Sequence, residues 1–224
     1  MSGYADYDSI KLDLFKLNRI NVPHIIATPD NFKPYGNFVY NYEDEQVIIT
    51  PWITTGKRRL MPNTGSGGGI VEGIFSYHYM QTNSNHIKLH AINNAVGGNY
   101  ITGIGTKNTL LVREANYHPD GGQVFYPIMI RPFILLLSKA GDNVKPTDFV
   151  CFIFDGTCGC QIKPNIWHQP IYPMMGEPVS FKNKQGAIHA CVGVDFVDEF
   201  NTVLEITGLN SLTAILEYHK KQSK

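Results

Sequence analysis

The sequence is poor in cysteine, and the cysteines that are present form no recognisable framework. Four cysteines in 224 residues are too few for a disulfide-bonded scaffold. We therefore expect free thiols and a reducing, cytoplasmic compartment. Cys158 and Cys160 are separated by one residue, whereas a zinc knuckle uses a gap of about two to four residues and a second matching pair. This spacing argues against a thiolate zinc site.

The chain also lacks an excess of charge and a long apolar run. Its 19 Lys and Arg residues balance 19 Asp and Glu residues, so no strong field would attract nucleic acid or an anionic membrane. No apolar stretch approaches the roughly 18 residues of a membrane-spanning helix. Residues 1–8 contain neither a basic nor an apolar block, unlike a secretory signal. We expect no nucleic-acid partner and no membrane partner.

Short apolar runs separated by turn signals dominate what is present. Residues 149–154 form an apolar run, residues 160–162 and 166–168 read as short strands, and the turn sequences Asp155-Gly156 and Lys163-Pro164-Asn165 separate the three segments. Strand, turn and strand in this order are typical of an antiparallel all-β protein. With 43% hydrophobic residues, the chain can bury a sizeable core. We predict an all-β fold with minor α content, built as an antiparallel barrel or sandwich.

Other segments refine this prediction. Residues 74–80 and 86–92 alternate like two strands of a hairpin around a polar turn. Thr28 followed by Pro29 predicts a helix N-cap and a short helical turn. The polar run 182–186 predicts a turn after a strand at 178–181. The apolar spacing within 209–218 predicts a short C-terminal helix. No repeat or linker divides the chain, so we expect a single domain over residues 1–224.

Residues 57–69 form a basic and glycine-rich segment. Lys57-Arg58-Arg59 is either a solvated turn or a partner for a carboxylate. The glycines at 65–69 do not end in the Gly-Lys-Ser/Thr of a phosphate loop. We expect a flexible loop near the barrel mouth, in the position of a lid.

His168 is the main candidate for chemistry on positional grounds. It alternates with Trp167 on one strand, so the two side chains face opposite sides of the sheet. A histidine on the inner face of a small barrel can act on a ligand in the mouth. The structural alternative is a buried histidine that hydrogen-bonds a neighbouring strand.

Three segments carry a resemblance to a known family. They are LLVREANYHPDGGQVFYP at 110–127, the stretch 152–170 with its Trp-His pair and proline, and TPDNFKPYG at 28–36. Together they resemble the ureidoglycolate lyase family of the cupin superfamily. The resemblance implies a cupin-type β-barrel or sandwich that forms a homodimer. Relative to the family, residues 1–24 are an N-terminal extension and about 41–93 are an enlarged region.

The resemblance also implies a reaction and a set of site residues. The substrate would be a small carboxylate, from which urea is eliminated to leave glyoxylate. His168 is the first candidate for proton transfer and His118 the second, while Lys163 would hold the carboxylate or act as the acid. Each further candidate also has an ordinary structural explanation. Those candidates are Arg113 and Arg131 as carboxylate clamps, Gln123 as the partner of the urea carbonyl, and Trp167 and Glu114 as further binding residues.

Two alternatives remain beside a lyase that needs no cofactor. His118, Gln123, Glu114 and His168 fall on matching strand pairs and could hold a divalent metal, as in a cupin oxygenase or isomerase. A non-catalytic cupin that binds a small ligand is the other alternative. Lys163 and Gln169 favour it, because the family commonly has histidines at both positions.

Overall fold

A computed structural model describes the chain at residues 14–49, 58, 68–81, 86–106, 108–169, 171–174, 178–188, 190–211 and 216. Within these residues the strands are β1 (Asn18–Asn21), β2 (His24–Ile26), β3 (Gly36–Val39), β4 (Ile70–Gln81), β5 (Ile87–Asn93), β6 (Gly98–Thr106), β7 (Thr109–Val112), β8 (Glu114–Tyr117), β9 (Gln123–Pro127), β10 (Phe133–Ser138), β11 (Val150–Phe154), β12 (Gly159–Ile162), β13 (Trp167–His168), β14 (Tyr172–Pro173), β15 (Val179–Gly186), β16 (Val192–Asp195) and β17 (Thr202–Thr207).

Helical structure in the same residues is short, and it includes the helical residues 209–211 and 216. The α-helices are α1 (Pro29–Phe32) and α2 (Phe196–Phe200), and two 3-10 helices cover Leu14–Lys16 and Pro146–Asp148. No helix of the described residues is long and apolar enough to cross a membrane. The all-β prediction with minor α content is therefore confirmed. Of the C-terminal helix predicted within 209–218, residues 209–211 and 216 are described, and these are helical.

The strands form two sheets that face each other. The larger has ten strands in the order β1-β17-β7-β6-β5-β4-β15-β9-β12-β3. The smaller has the order β16-β8-β13-β10-β11-β2, and β14 also pairs with β10. Most pairs are antiparallel, but β1 pairs with β17, and β2 with β11, in parallel. No strand pair in the described residues joins one sheet to the other, so the architecture is a sandwich rather than a closed barrel.

Aromatic side chains fill the space between the sheets. Phe133 of the smaller sheet meets Phe181 of the larger edge to face, with ring centroids 5.0 Å apart. Phe32 of α1 packs edge-on against Phe152 and Phe154 in the same way. Burying each such side chain contributes roughly 1.5–3 kcal/mol before chain entropy is counted. The core therefore fixes how the two sheets face each other.

Two local predictions are confirmed in detail. Strands β4 and β5 pair antiparallel from Phe75↔Asn93 to Gln81↔Ile87, as the alternation at 74–92 predicts. Thr28 caps α1: its side-chain oxygen accepts a hydrogen bond from the Asn31 amide at 3.3 Å. Pro29 occupies the first helical position, where its missing N–H costs nothing.

One local prediction is wrong, and the error matters for the site. Residues 182–186 do not form a turn, because β15 continues through them to Gly186. Its neighbours β4 and β9 supply backbone hydrogen-bond partners on both sides, which outweigh the low strand propensity of the polar side chains. Side chains alternate along a strand, so Asn183 and Gln185 share the core-facing side with Phe181. The core consequently becomes polar at this end.

Candidate active site

The hairpin after β8 and the short strand β13 come together at one end of the sandwich. His168 pairs with Asn116 of β8 on one side and with Leu137 of β10 on the other. Asn165 has φ 65, a left-handed conformation that asparagine tolerates, and its amide donates to the His118 carbonyl at 3.0 Å. The imidazole centroids of His118 and His168 lie 4.8 Å apart. We call these two residues the histidine pair.

Backbone carbonyls define the tautomers of the histidine pair. The Nδ1 atom of His118 lies 2.8 Å from the Ala190 carbonyl oxygen, and that of His168 lies 2.8 Å from the Ile166 carbonyl oxygen. A carbonyl oxygen can only accept, so each Nδ1 carries the proton. In the neutral ring, each Nε2 then keeps a lone pair that can accept a proton or a hydrogen bond.

His168 is held in its neutral form. Burial lowers its pKa to about 4, because a charged imidazole would lose its hydration, and the hydrogen bond to the Ile166 carbonyl opposes this shift only in part. The residue is 3% exposed, so it is almost but not fully enclosed. His168 therefore has the protonation state of a general base at neutral pH.

The pKa of His168 also predicts how stability depends on pH. The unfolded chain binds a proton on this residue below about pH 6.5, whereas the folded chain does so only near pH 4. The free energy of unfolding should therefore fall as pH is lowered through this window. At pH 4.5 the loss from this residue is about 2–3 kcal/mol. Urea unfolding of wild type and His168→Gln at pH 7 and 4.5 measures it. Equal pH dependence of stability in the two proteins would contradict the lowered pKa of His168.

Acidic and thiol groups surround the histidine pair. Glu114 and Asn116 lie on one face of β8 and are both buried, and Asn116 lies opposite His168 in the strand pair. Asp120 accepts a hydrogen bond from the Ala190 amide at 3.4 Å. Cys191 Sγ lies 3.3 Å from His118 Nδ1. Burial, together with Asp120 and Glu114, raises the pKa of the Cys191 thiol, so it is not a thiolate nucleophile at neutral pH.

Four side-chain amides are buried on strands β5, β9 and β15 of the larger sheet. Asn93, Gln123, Asn183 and Gln185 are all buried and hydrogen-bond one another. We call them the amide cluster. Gln123 begins β9 five residues after His118, and the chain that follows Gln185 reaches Ala190, which holds His118. The cluster and the histidine pair are thus joined by two short connections.

Arg113 is fixed by acidic side chains. Its Nε donates to Asp195 Oδ2 at 2.7 Å, and a terminal nitrogen lies 3.3 Å from Asp198 Oδ1. Asp195 also caps α2 by accepting from the amides of Val197 and Asp198. The guanidinium of Arg113 is buried. Its partner Asp195 belongs to β16, an edge strand of the smaller sheet. These contacts tie the residue that precedes β8 to β16 and to α2.

These contacts predict that Arg113 matters for stability more than for substrate binding. Arg113→Met should lower the free energy of unfolding by about 2–3 kcal/mol, less than for a fully buried pair because Asp195 is partly exposed. The Michaelis constant for a carboxylate substrate should stay within about twofold. Arg19→Met, which breaks an exposed pair with Glu205, is the control and should cost under about 1 kcal/mol. A large rise in KM without loss of stability would instead identify Arg113 as the carboxylate clamp.

Other predicted residues lie away from the histidine pair. Lys163 is exposed, and its Nζ donates to the Lys33 carbonyl at 2.6 Å. Arg131 is exposed in the loop between β9 and β10. Trp167 is fully buried on the face opposite His168, and its Nε1 donates to the Gly141 carbonyl at 2.8 Å. Of the predicted residues, the structure therefore brings together His118 and His168, with Glu114 on the strand β8 that pairs with β13. Gln123 instead bonds amide side chains of the larger sheet.

Arg58 pairs with a carboxylate, which is one of the two predictions for the basic triplet 57–59. The carboxylate belongs to the protein itself, on Glu199. The two terminal nitrogens of Arg58 each lie 2.7 Å from an oxygen of Glu199, and its guanidinium stacks over the Trp167 ring at 5.3 Å. Lys57, Arg59 and the glycines at 65–67 lie outside the described residues. A surface cleft of about 550 Å³ opens beside Gly141. The cleft is lined by Tyr35, residues 138–144 and Asp148.

The histidine pair offers two nitrogens to a metal ion. Both Nε2 atoms have the donor chemistry that divalent transition metals accept. Among the described residues, no group of three or more His, Cys, Asp or Glu side chains is arranged to hold an ion. The metal-dependent alternative therefore stays a prediction that rests on these two ligands.

Comparison with known proteins gives one family. The family model described as ureidoglycolate lyase matches residues 19–200, an interval that contains the histidine pair and the amide cluster. A ureidoglycolate lyase of Azotobacter vinelandii is 28% identical over 68 residues, 30% of this chain and 41% of that protein. One of Stutzerimonas stutzeri is 31% identical over 62 residues, 28% of this chain and 36% of that protein. The aligned part spans less than half the length of these relatives.

A solved structure also shows a slight likeness. It is a mutant of the Bacillus subtilis oxalate decarboxylase OxdC, which aligns with 58% of this chain and 29% of its own. The two chains are 12% identical, and the TM-score is 0.28. A likeness this small carries no information about the site.

Proposed function

Since this chain belongs to the ureidoglycolate lyase family, we propose that it eliminates urea from ureidoglycolate to leave glyoxylate. The observation that carries the proposal is the histidine pair, whose rings lie 4.8 Å apart beside Glu114 and Asn116. A neutral imidazole with a lone pair at Nε2 is the group that such an elimination needs.

The reaction can be written with His168 as a proton shuttle. Its Nε2 takes the proton of the substrate hydroxyl, the carbon–oxygen double bond forms, and the carbon–nitrogen bond breaks. The electron pair of that bond goes to the urea nitrogen, which takes the proton from the imidazolium. One proton leaves oxygen and one reaches nitrogen, so the atoms balance without a cofactor. Hydroxyl and nitrogen share one carbon, so a single imidazole can serve both.

The low pKa of His168 suits the second half of this step. An imidazolium with a pKa of about 4 is a strong enough acid to release its proton readily to the leaving nitrogen. His118 is the second candidate for the same transfer, and its Nε2 can otherwise accept a hydrogen bond that orients the substrate. The buried Asn116 Oδ1 receives no hydrogen bond from the described residues, so it offers a further acceptor.

The substrate carboxylate needs a cation, and the three predicted ones are placed elsewhere. Arg113 pairs with Asp195, Lys163 bonds the Lys33 carbonyl, and Arg131 is exposed on a loop. We propose that the carboxylate partner is a different group. Arginine is the side chain best suited to hold a carboxylate through two hydrogen bonds.

Product analysis tests the proposal. Purified protein with ureidoglycolate should release glyoxylate and urea in equal amounts, with no ammonia above the uncatalysed rate. Ammonia in place of urea would indicate hydrolysis and contradict the lyase reaction. Turnover abolished by a chelator and restored by a divalent ion would favour the metal-dependent alternative.

A non-catalytic ligand-binding protein is the second candidate. Both members of the histidine pair are only 3% exposed, which limits access for a substrate. The family commonly has a histidine at the position of Gln169. Here the Gln169 Nε2 donates a hydrogen bond to the Glu114 backbone carbonyl, which is a structural contact. Binding of ureidoglycolate without any glyoxylate formation would support this candidate.

A further inference from the structure

The amide cluster is organised around one oxygen atom. Gln185 Oε1 accepts hydrogen bonds from Asn93 Nδ2 at 3.0 Å, Gln123 Nε2 at 2.9 Å and Asn183 Nδ2 at 2.8 Å. Three donors around one amide end identify that end as the oxygen, because an NH₂ group there would face them donor to donor. The orientation of the Gln185 amide is therefore determined by its neighbours.

This orientation leaves a buried donor unused. Gln185 is fully buried, and its Nε2 donates no hydrogen bond to any described residue. A buried amide nitrogen without an acceptor is costly, and native proteins rarely leave one unless water or a ligand supplies the acceptor. The other members of the cluster thus supply donors to the oxygen of the Gln185 amide, whereas its nitrogen has no acceptor among the described residues.

Gln123 provides the complementary group. Its Nε2 has two hydrogens, and these go to Asn183 Oδ1 at 3.2 Å and to Gln185 Oε1. Gln123 therefore has no donor left for a urea carbonyl, which is the role that the family resemblance gives it. Its Oε1 accepts no hydrogen bond from the described residues and can only accept. Gln185 carries the unused donor, Nε2, and Gln123 carries the unused acceptor, Oε1. The two side chains are held together by the hydrogen bond from Gln123 Nε2 to Gln185 Oε1.

From this arrangement we infer that the amide cluster recognises the ureido group of the ligand. Gln185 Nε2 donates to the ureido carbonyl oxygen, and Gln123 Oε1 accepts from the terminal NH₂. The identity of the ligand rests on the proposed function. Gln123 follows His118 by five residues, and Gln185 precedes by five residues Ala190, whose carbonyl oxygen lies 2.8 Å from His118 Nδ1. We therefore propose that the rest of the ligand extends towards the histidine pair.

A Gln185→Glu variant separates binding from structure. Three donors favour the ionised form of a glutamate at this position. The carboxylate keeps an oxygen for these donors but replaces the unused NH₂ group with an oxygen that cannot donate. N-carbamoylglycine is the probe, because it carries the ureido group and the carboxylate but lacks the hydroxyl that elimination needs. Calorimetry should show its affinity for Gln185→Glu reduced about tenfold to a hundredfold. Gln161→Glu, the same change on the outer face of β12, should alter affinity less than about twofold.

A second probe needs no variant. N-acetylglycine has the carbonyl but lacks the terminal NH₂, so the wild-type protein should bind it more weakly than N-carbamoylglycine. Equal affinity for the two probes would overturn the inference, as would wild-type affinity of a folded Gln185→Glu for N-carbamoylglycine. In either case water, rather than ligand, satisfies the amide. If Gln185→Glu fails to fold, the preference between the two probes alone decides.

The outcomes for binding and for turnover are distinct. Wild-type protein that prefers the ureido probe but forms no glyoxylate from ureidoglycolate would contradict the lyase reaction and support ureido recognition. Turnover of ureidoglycolate that is unchanged in Gln185→Glu would support the lyase and overturn the recognition. A reduced kcat/KM that comes mainly from a raised KM is the result expected if both hold.

Discussion

Replacing His168 with glutamine is expected to lower kcat/KM for ureidoglycolate by about 10²–10⁴-fold, the usual contribution of a positioned acid–base group. The glutamine amide can donate or accept a hydrogen bond, but it cannot carry the proton from the hydroxyl to the leaving nitrogen. The measurement is the initial rate of glyoxylate release at several substrate concentrations. Most of the loss should appear in kcat, because the interaction is made during the proton transfer.

His24→Gln is the matched control for this variant. His24 lies on β2, at the opposite edge of the smaller sheet from β16, and is also partly buried, so the same substitution there perturbs a sheet edge without touching the histidine pair. Its kcat/KM should stay within about twofold. If His168→Gln keeps its fold and turns over ureidoglycolate at the wild-type rate, the proton shuttle assigned to His168 is wrong.

Replacing Trp167 with alanine is expected to destabilise the protein by about 3–5 kcal/mol. The ring is fully buried and meets Tyr117 edge to face at 4.7 Å, while its Nε1 bonds the Gly141 carbonyl. Arg58 stacks on the same ring, so the cavity would also weaken the attachment of that side chain. Denaturant unfolding of the variant and the wild type measures the loss.

Trp167→Phe is the graded variant of the same position. Phenylalanine keeps an edge-to-face contact but loses the hydrogen bond and some volume, so it should cost about 1–2 kcal/mol. The kcat of the folded fraction should stay within a few-fold for both variants, because Trp167 and His168 face opposite sides of the sheet. A hundredfold loss of kcat with unchanged stability would mean that the indole contacts the substrate.

Local patterns predict the elements that frame the site. The predicted strand segments at 149–154, 160–162 and 166–168 become β11, β12 and β13, because a glycine turn and a proline turn separate them. Alternation alone assigns Trp167 and His168 to opposite faces. The Thr28 cap of α1 follows from two adjacent residues. In each case the interactions that decide the structure lie within a few positions along the chain.

Long-range partners could not be predicted in this way. Arg113 pairs with Asp195, 82 positions away, because β8 pairs with β16, and no local pattern encodes that pairing. Gln185 belongs to a polar run that has the composition of a turn. The period-two order of Phe181, Asn183 and Gln185 was the available signal, but only the neighbouring strands β4 and β9 make it a strand.

The most direct test of the histidine pair as part of the ligand site is NMR of the histidine side chains during titration with N-carbamoylglycine. His118→Gln and His168→Gln assign the two signals of the histidine pair. We predict that both signals shift as the ligand binds, and that the free His168 signal titrates near pH 4 rather than 6.5. Saturable binding that leaves both signals unchanged and perturbs the surface cleft at Tyr35 and Asp148 would contradict the account.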